Sequence, residues 1–172
     1  MKRKLLTLTV CILIPALLLS GCFLFRDKAI KLVKNDLSLD ISAAKVNLFL
    51  DTHINGTGGL SFASATFPDA GFTGQLSTHP GFHALPFSQE ITDFLYSTDI
   101  LLNEKGELLI PYADNGYYYF DLQTDGDANT PSADMKVALY NGDTNEFYYC
   151  HFNIDNLNIL SELESMVNLP QY

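Results

Sequence analysis

Residues 137–154, "VALYNGDTNEFYYCHFNI", hold two apolar runs around Asn141-Gly142-Asp143-Thr144-Asn145. Two β-prone runs separated by turn formers mark a β-hairpin. A lone hairpin is at best marginal in water, so this stretch commits the chain to a larger antiparallel sheet. The same pattern recurs. Lys45 to Asp51 alternates Val46, Leu48 and Leu50 with Asn47, Phe49 and Asp51, the period of a strand. "NGTGG" at 55–59 is a loop, and Leu60 to Phe67 is again strand-like. "ILLNEKGELLI" at 100–110 reads as a hairpin turning at 103–106, and Tyr117 to Leu122 as an aromatic strand. Residues 68–86 are rich in Gly and Pro and read as irregular. Ser88 is placed to cap a helix running through Glu90, Ile91, Phe94 and Leu95. Leu157, Leu160, Glu164 and Val167 trace a last helix, capped by Asp155 or Asn156 and stopped before Pro170. No internal repeat is present. The expectation is an α+β fold: mainly an antiparallel sheet of hairpins, with a few short helices packed at its face and edges.

The first residues follow different rules. Lys2, Arg3 and Lys4 precede a run from Leu5 to Leu19 of mostly Leu, Ile, Val and Thr, interrupted by Pro15. A spanning helix needs about 20 apolar residues, and this run falls short. A basic start, a short apolar core and small residues before a cut are instead the pattern of an export signal.

Leu19-Ser20-Gly21-Cys22 closes that run and resembles the lipobox of bacterial lipoproteins. The resemblance implies diacylglyceryl transfer to the Cys22 thiol, cleavage before Cys22 and acylation of the new amino terminus. Residues 1–21 are then the signal peptide, 22–25 the lipidated anchor segment and 26–172 a single globular domain. Cys11 leaves with the leader and Cys22 is acylated, so Cys150 stands alone with no disulfide partner. A lone strand cysteine reads best as a small buried hydrophobe.

Processing at Cys22 leaves seven Lys and Arg against twenty Asp and Glu, a net charge of −13. Such a chain lacks the basic face that nucleic-acid binders need. Arg26, Lys28, Lys31 and Lys34 gather at its beginning. At three-residue spacing the lysines occupy neighbouring turns, with Ile30, Val33 and Leu37 on another face, which predicts a short amphipathic helix over 26–36. Each of its cations is worth about 1 kcal/mol beside anionic lipid.

Three constellations carry candidate chemistry. Asp51 and His53 share a strand face at i, i+2, and His79 and His83 flank Pro80-Gly81. Together they offer two or three ligands to an ion such as zinc, or a base to a hydrolase, although no HxxxH on a helix and no CxxC accompanies them. Asp125, Asp127 and Asn129 open like a calcium loop, but Thr130 takes the place of the turn glycine and Lys136 that of the bidentate glutamate. An acidic, solvated loop between strands is the simpler expectation there. Tyr117, Tyr119 and Tyr148 lie on neighbouring expected strands and offer a flat aromatic face to a glycan or a partner protein, although cross-strand pairs that merely stiffen the sheet are commoner. No Gly-x-Ser-x-Gly is present, and Cys150 and His151, adjacent on a strand, point to opposite faces. No catalytic residue, resident metal or cofactor is expected.

Four stretches, "DTHINGTGGLSF" (51–62), "HALPF" (83–87), "NGYYYFD" (115–121) and "LYNGDTNEFYYC" (139–150), resemble a group of small proteins and lipoproteins of Gram-positive bacteria. Members of that group are richer in Gly and His after the Asp-Thr-His, a run that Ile54 and Asn55 break here. The resemblance implies a single membrane and brings no assigned activity. Residues 108–167 are also similar, more weakly, to an immunity-protein fold, which implies an interaction role. The functional expectation is a lipoprotein on the extracytoplasmic face of the cell membrane, held by lipid on Cys22, acting as a non-enzymatic binding module for a protein or glycan. The alternatives are a metal-dependent or hydrolytic envelope enzyme built on Asp51, His53, His79 and His83, and an immunity-like protein that neutralises a toxin.

Overall fold

A computed structural model describes residues 24–53, 58–97, 108–125 and 132–154. The chain divides into two compact units, Met1–Ser42 and Ala43–Tyr172. In the first, helix α1 runs through residues 24–37. Val33 and Leu37 of the expected apolar face are buried, with Ala29 completing the stripe in place of the half-buried Ile30, while Lys28, Lys31 and Lys34 stay more open to solvent. The helix ends where Ser38 turns left-handed, with φ 57°, and donates its N–H to the Lys34 carbonyl at 3.0 Å. The Arg26 guanidinium then donates to the Ser42 carbonyl at 2.7 Å, tying the helix to the segment that follows it.

The second unit is a six-stranded, wholly antiparallel sheet in the order β1-β2-β6-β5-β4-β3. Its strands are β1 (Lys45–Asp51), β2 (Gly59–Thr66), β3 (His83–Ala84), β4 (Gly116–Asp125), β5 (Ser132–Asn141) and β6 (Glu146–Ile154). A 3₁₀ turn at Ala70–Phe72 leads into α2 (Thr73–Thr78), and α3 covers Gln89–Ser97. The α+β expectation holds, and so does the hairpin at 141–145. Asn141 Oδ1 accepts from the N–H groups of Asp143 and Thr144, and Asn145 supplies the left-handed corner with φ 55°. Ser88 caps α3 as expected, its Oγ accepting from the Ile91 N–H.

Some boundaries differ from the sequence reading. The acidic stretch 125–134 has the composition of a loop, yet β4 runs to Asp125 and β5 starts at Ser132. Cross-strand pairing, not apolar alternation, carries these ends, with Asp134 opposite Gln123 and Asn153. Within 68–86, turns prevail, but α2 and the two-residue β3 break the irregular run. The turn expected at 103–106 and the helix at 157–167 lie outside the described residues.

The two faces of the sheet differ. One carries Phe62, Cys150, Val137 and Phe120 in a cross-strand row, with Phe152 and Met135 in the next. It packs with Ile91, Phe94 and Leu95 of α3 and with Leu109 and Ile110 into the main core. Cys150 is fully buried here, and burial pushes its thiol pKa well up. Its thiol is therefore expected to resist alkylation in the native protein and to react once denaturant is added; rapid native labelling at Cys150 would contradict this placement. The second face carries Tyr149, Phe147 and Tyr140, all buried, and Phe67 and Phe72, whose rings stack at 3.9 Å, pack on this face. Phe72 meets the edges of Tyr140 and Phe147 at 5.6 Å each. Along the same strands this second face turns polar.

Candidate functional site

Residues directly opposed in an antiparallel sheet share a face. The pairing therefore builds one polar row across five strands: Asp51 on β1, Ser61 on β2, His151 on β6, Lys136 on β5 and Asp121 on β4. The adjacent row adds Asn153, Asp134 and Gln123. Asp51 and His53, a pair in the sequence reading, do meet. His53 Nδ1 lies 3.0 Å from Asp51 Oδ1, which also accepts from the His53 backbone N–H at 3.2 Å and from Ser61 Oγ at 3.1 Å. Burial pushes the Asp51 pKa up, but these hydrogen bonds and the nearby imidazole outweigh it and hold the carboxyl below its ordinary 3.8.

The sequence reading grouped none of Ser61, Asp134, Lys136 and His151 with this pair. His151 Nε2 lies 2.9 Å from Asp134 Oδ1, Lys136 Nζ approaches Asp134 Oδ2 at 3.7 Å, and the His151 ring sits 5.8 Å from that of His53. The available signal was the alternation of 132–136 with 150–154 across a hairpin, which places Lys136 beside His151.

The chemistry of the cluster is that of a fixed polar surface. A nucleophilic relay needs a carboxylate at one imidazole nitrogen and a hydroxyl at the other. Here Asp51 Oδ1 and Ser61 Oγ, at 3.0 and 3.1 Å, meet the same His53 Nδ1. Ser61 is moreover only 3% exposed, out of reach of an acyl group. Among the described residues no three His, Cys, Asp or Glu side chains come together in an arrangement able to hold a metal ion.

His79 and His83 lie elsewhere. His79 Nδ1 accepts from the Gly81 N–H at 3.2 Å, and its ring meets Phe82 edge-on. His83 is on β3, against Tyr118. Strand β3 and strand β1 are opposite edges of the sheet, roughly 24 Å apart at ordinary strand spacing, so His53 and His83 do not share a site.

The aromatic platform is not assembled as expected. Tyr117 and Tyr119 share the second face, whereas Tyr148 pairs with Leu139 on the core face. The β5–β6 register sets Tyr148 apart from the other two. Its hydroxyl donates to Glu146 Oε2 at 2.9 Å, and burial together with that carboxylate raises its pKa to about 12. Tyr119 is covered by Phe82 and by Gly81, where an added Cβ would come within 2.6 Å of the ring. Asp125 ends β4, and Asp127 and Asn129 lie outside the described residues.

Tyr117 instead lines an open cleft of about 320 Å³ with Thr73, Asp114, Asn115 and Gly116. The cleft is rigidly framed: Asn115 Nδ2 donates to Asp143 Oδ1 at 2.7 Å, Gly142 N–H to the Asn115 carbonyl at 2.9 Å, and Leu85 N–H to the Gly116 carbonyl at 3.1 Å. No family model, curated protein or solved structure matches this chain.

The Asp51 cluster has a defined pH dependence. A carboxylate whose folded pKa is depressed contributes stability above its unfolded pKa and loses it as pH falls through the folded value. Asp51→Asn is thus expected to unfold at lower urea than the parent above about pH 4, with the gap closing in stronger acid. A gap that stays constant down through that window would mean the charge on Asp51 plays no part.

Proposed function

We propose that the protein is a lipoprotein of the extracytoplasmic membrane face, held by acyl chains on Cys22, whose domain is a non-enzymatic binding module. The observation that carries the reading is Leu19-Ser20-Gly21-Cys22 at the end of an apolar run behind Lys2-Arg3-Lys4. Two acyl chains suffice for stable anchoring where one gives reversible binding. Among the described residues no helix is long and apolar enough to cross a membrane.

Support for binding over catalysis comes from the cleft at Tyr117. The Tyr117 ring beside a carboxylate, an amide and a hydroxyl suits a hydroxylated ligand, whose C–H face stacks on that ring while its hydroxyls pair with Asp114, Asn115 and Thr73. A cell-surface glycan has this chemistry. The probe is insoluble cell-wall glycan in a co-sedimentation assay. The parent is expected to pellet with it, and Tyr117→Ala to weaken binding roughly tenfold or more. Equal pelleting of parent and variant, or none of either, counts against this cleft as the binding site.

A further inference from the structure

Strand β1 is an edge of the sheet and has no neighbour on its outer side among the described strands. Natural sheets usually blunt such an edge, because its unpaired N–H and C=O groups template another strand. Here only the first half is blunted. A bulge between Val46 and Leu48 leaves Asn47 outside the ladder, and its amide donates to Thr66 Oγ1 at 2.8 Å. From Leu48 to Asp51 the ladder is regular, and Leu48 and Leu50 are 53% and 43% exposed. They pair with Ser64 and Phe62, so both lie on one face, while Phe49, opposite Ala63, lies on the other.

We infer that this edge pairs with the same edge of a second copy of the chain, antiparallel about a two-fold axis through Phe49. The register decides the occupant. Centred on Phe49, Leu48 of each copy opposes Leu50 of the other, so four exposed leucines meet on one face and Phe49 opposes itself on the second. Asp51 falls opposite the bulged end of β1, not opposite a carboxylate. Centring on Leu50 would set Leu48 against Thr52 and Asp51 against Phe49. Centring on Leu48 would set Leu50 across the bulge. Charge favours the same place. The chain as a whole carries −10, so two copies repel, yet β1 holds one lysine and one aspartate and is neutral. The regular segment is only Leu48 to Asp51, against roughly 20–30 residues a side in a standard interface, so the dimer is weak and reversible in solution. The pairing does not depend on the anchor or on the cleft.

Sedimentation velocity of the purified full-length chain in density-matched detergent tests it. The parent is expected to shift from monomer toward dimer as concentration rises, and Leu50→Lys, at an already exposed position, to stay monomeric. A positional trap adds the register. Opposed Cα atoms in an antiparallel pair lie about 4.5–5.5 Å apart, within disulfide range. Phe49→Cys is expected to form an oxidised dimer at least about tenfold more than Gln75→Cys, an exposed site on α2, and Leu50→Lys in the same chain to suppress it. A parent that stays monomeric, a dimer indifferent to Leu50→Lys, or a Phe49→Cys variant whose new thiol cross-links to a different protein each overturns the proposal.

Discussion

Cys22→Ser is expected to remove acyl labelling entirely and to leave an uncleaved or mislocalised precursor that keeps residues 1–21. The hydroxyl cannot replace the thiol as acceptor of the diacylglyceryl group. On the reading proposed above, little besides the acyl chains holds the processed domain to lipid. Each buried methylene is worth about 0.8 kcal/mol, so loss of two acyl chains costs far more than any surface contact restores. The lysines of α1 add only about 1 kcal/mol each, and the processed chain, those lysines included, would carry a net −13 that anionic headgroups repel. The measurement is metabolic labelling with a fatty acid followed by membrane fractionation. A parent that carries no acyl label yet is attached as firmly as the variant would mean that residues 1–21 stay on the chain and hold it directly.

Gly116→Ala is expected to be among the most damaging single substitutions in the domain, costing roughly 3 kcal/mol or more. Two causes act together. Gly116 sits at φ +133°, a conformation that side-chain-bearing residues rarely adopt. A Cβ there would also come within 1.9 Å of the Tyr140 carbonyl oxygen and 2.9 Å of the Gly142 nitrogen. Both obstacles are backbone, held by the β4–β5 ladder and by the Gly142 N–H bond to Asn115, so neither can swing aside. Because Gly116 lines the Tyr117 cleft, a folded remnant of the variant should also bind poorly. The check is urea unfolding of the full-length chain. By contrast Gly74, whose added Cβ would meet nothing within 4 Å, should accept alanine with little change in midpoint. Comparable midpoints for parent and Gly116→Ala would show that the β4 entry can be rebuilt without glycine.

How far the chain could be read from its sequence depended on which physical signal each element carries. The 137–154 hairpin was legible because aromatic alternation and turn chemistry agree there, and α3 because Ser88, Glu90 and the Ile91-Phe94-Leu95 spacing agree. The polar ends of β4 and β5 were not legible, since Asp, Ser and Gly look like loop and only the partner strand makes them a ladder. The strand order was hidden too: β2 pairs with β6, far away in sequence, and that pairing alone brings His53 to His151. The pair Asp51 and His53 was found because it is local. Tyr148 was misplaced beside Tyr117 because the face of a strand is fixed by register, which composition does not reveal.

The most direct test of the whole account is the mass of the amino-terminal peptide of the protein purified from its own membrane. The account predicts a chain beginning at Cys22, with a diacylglyceryl thioether on its sulfur and no trace of residues 1–21. A peptide that still begins at Met1, with the Cys22 thiol unmodified, would contradict it.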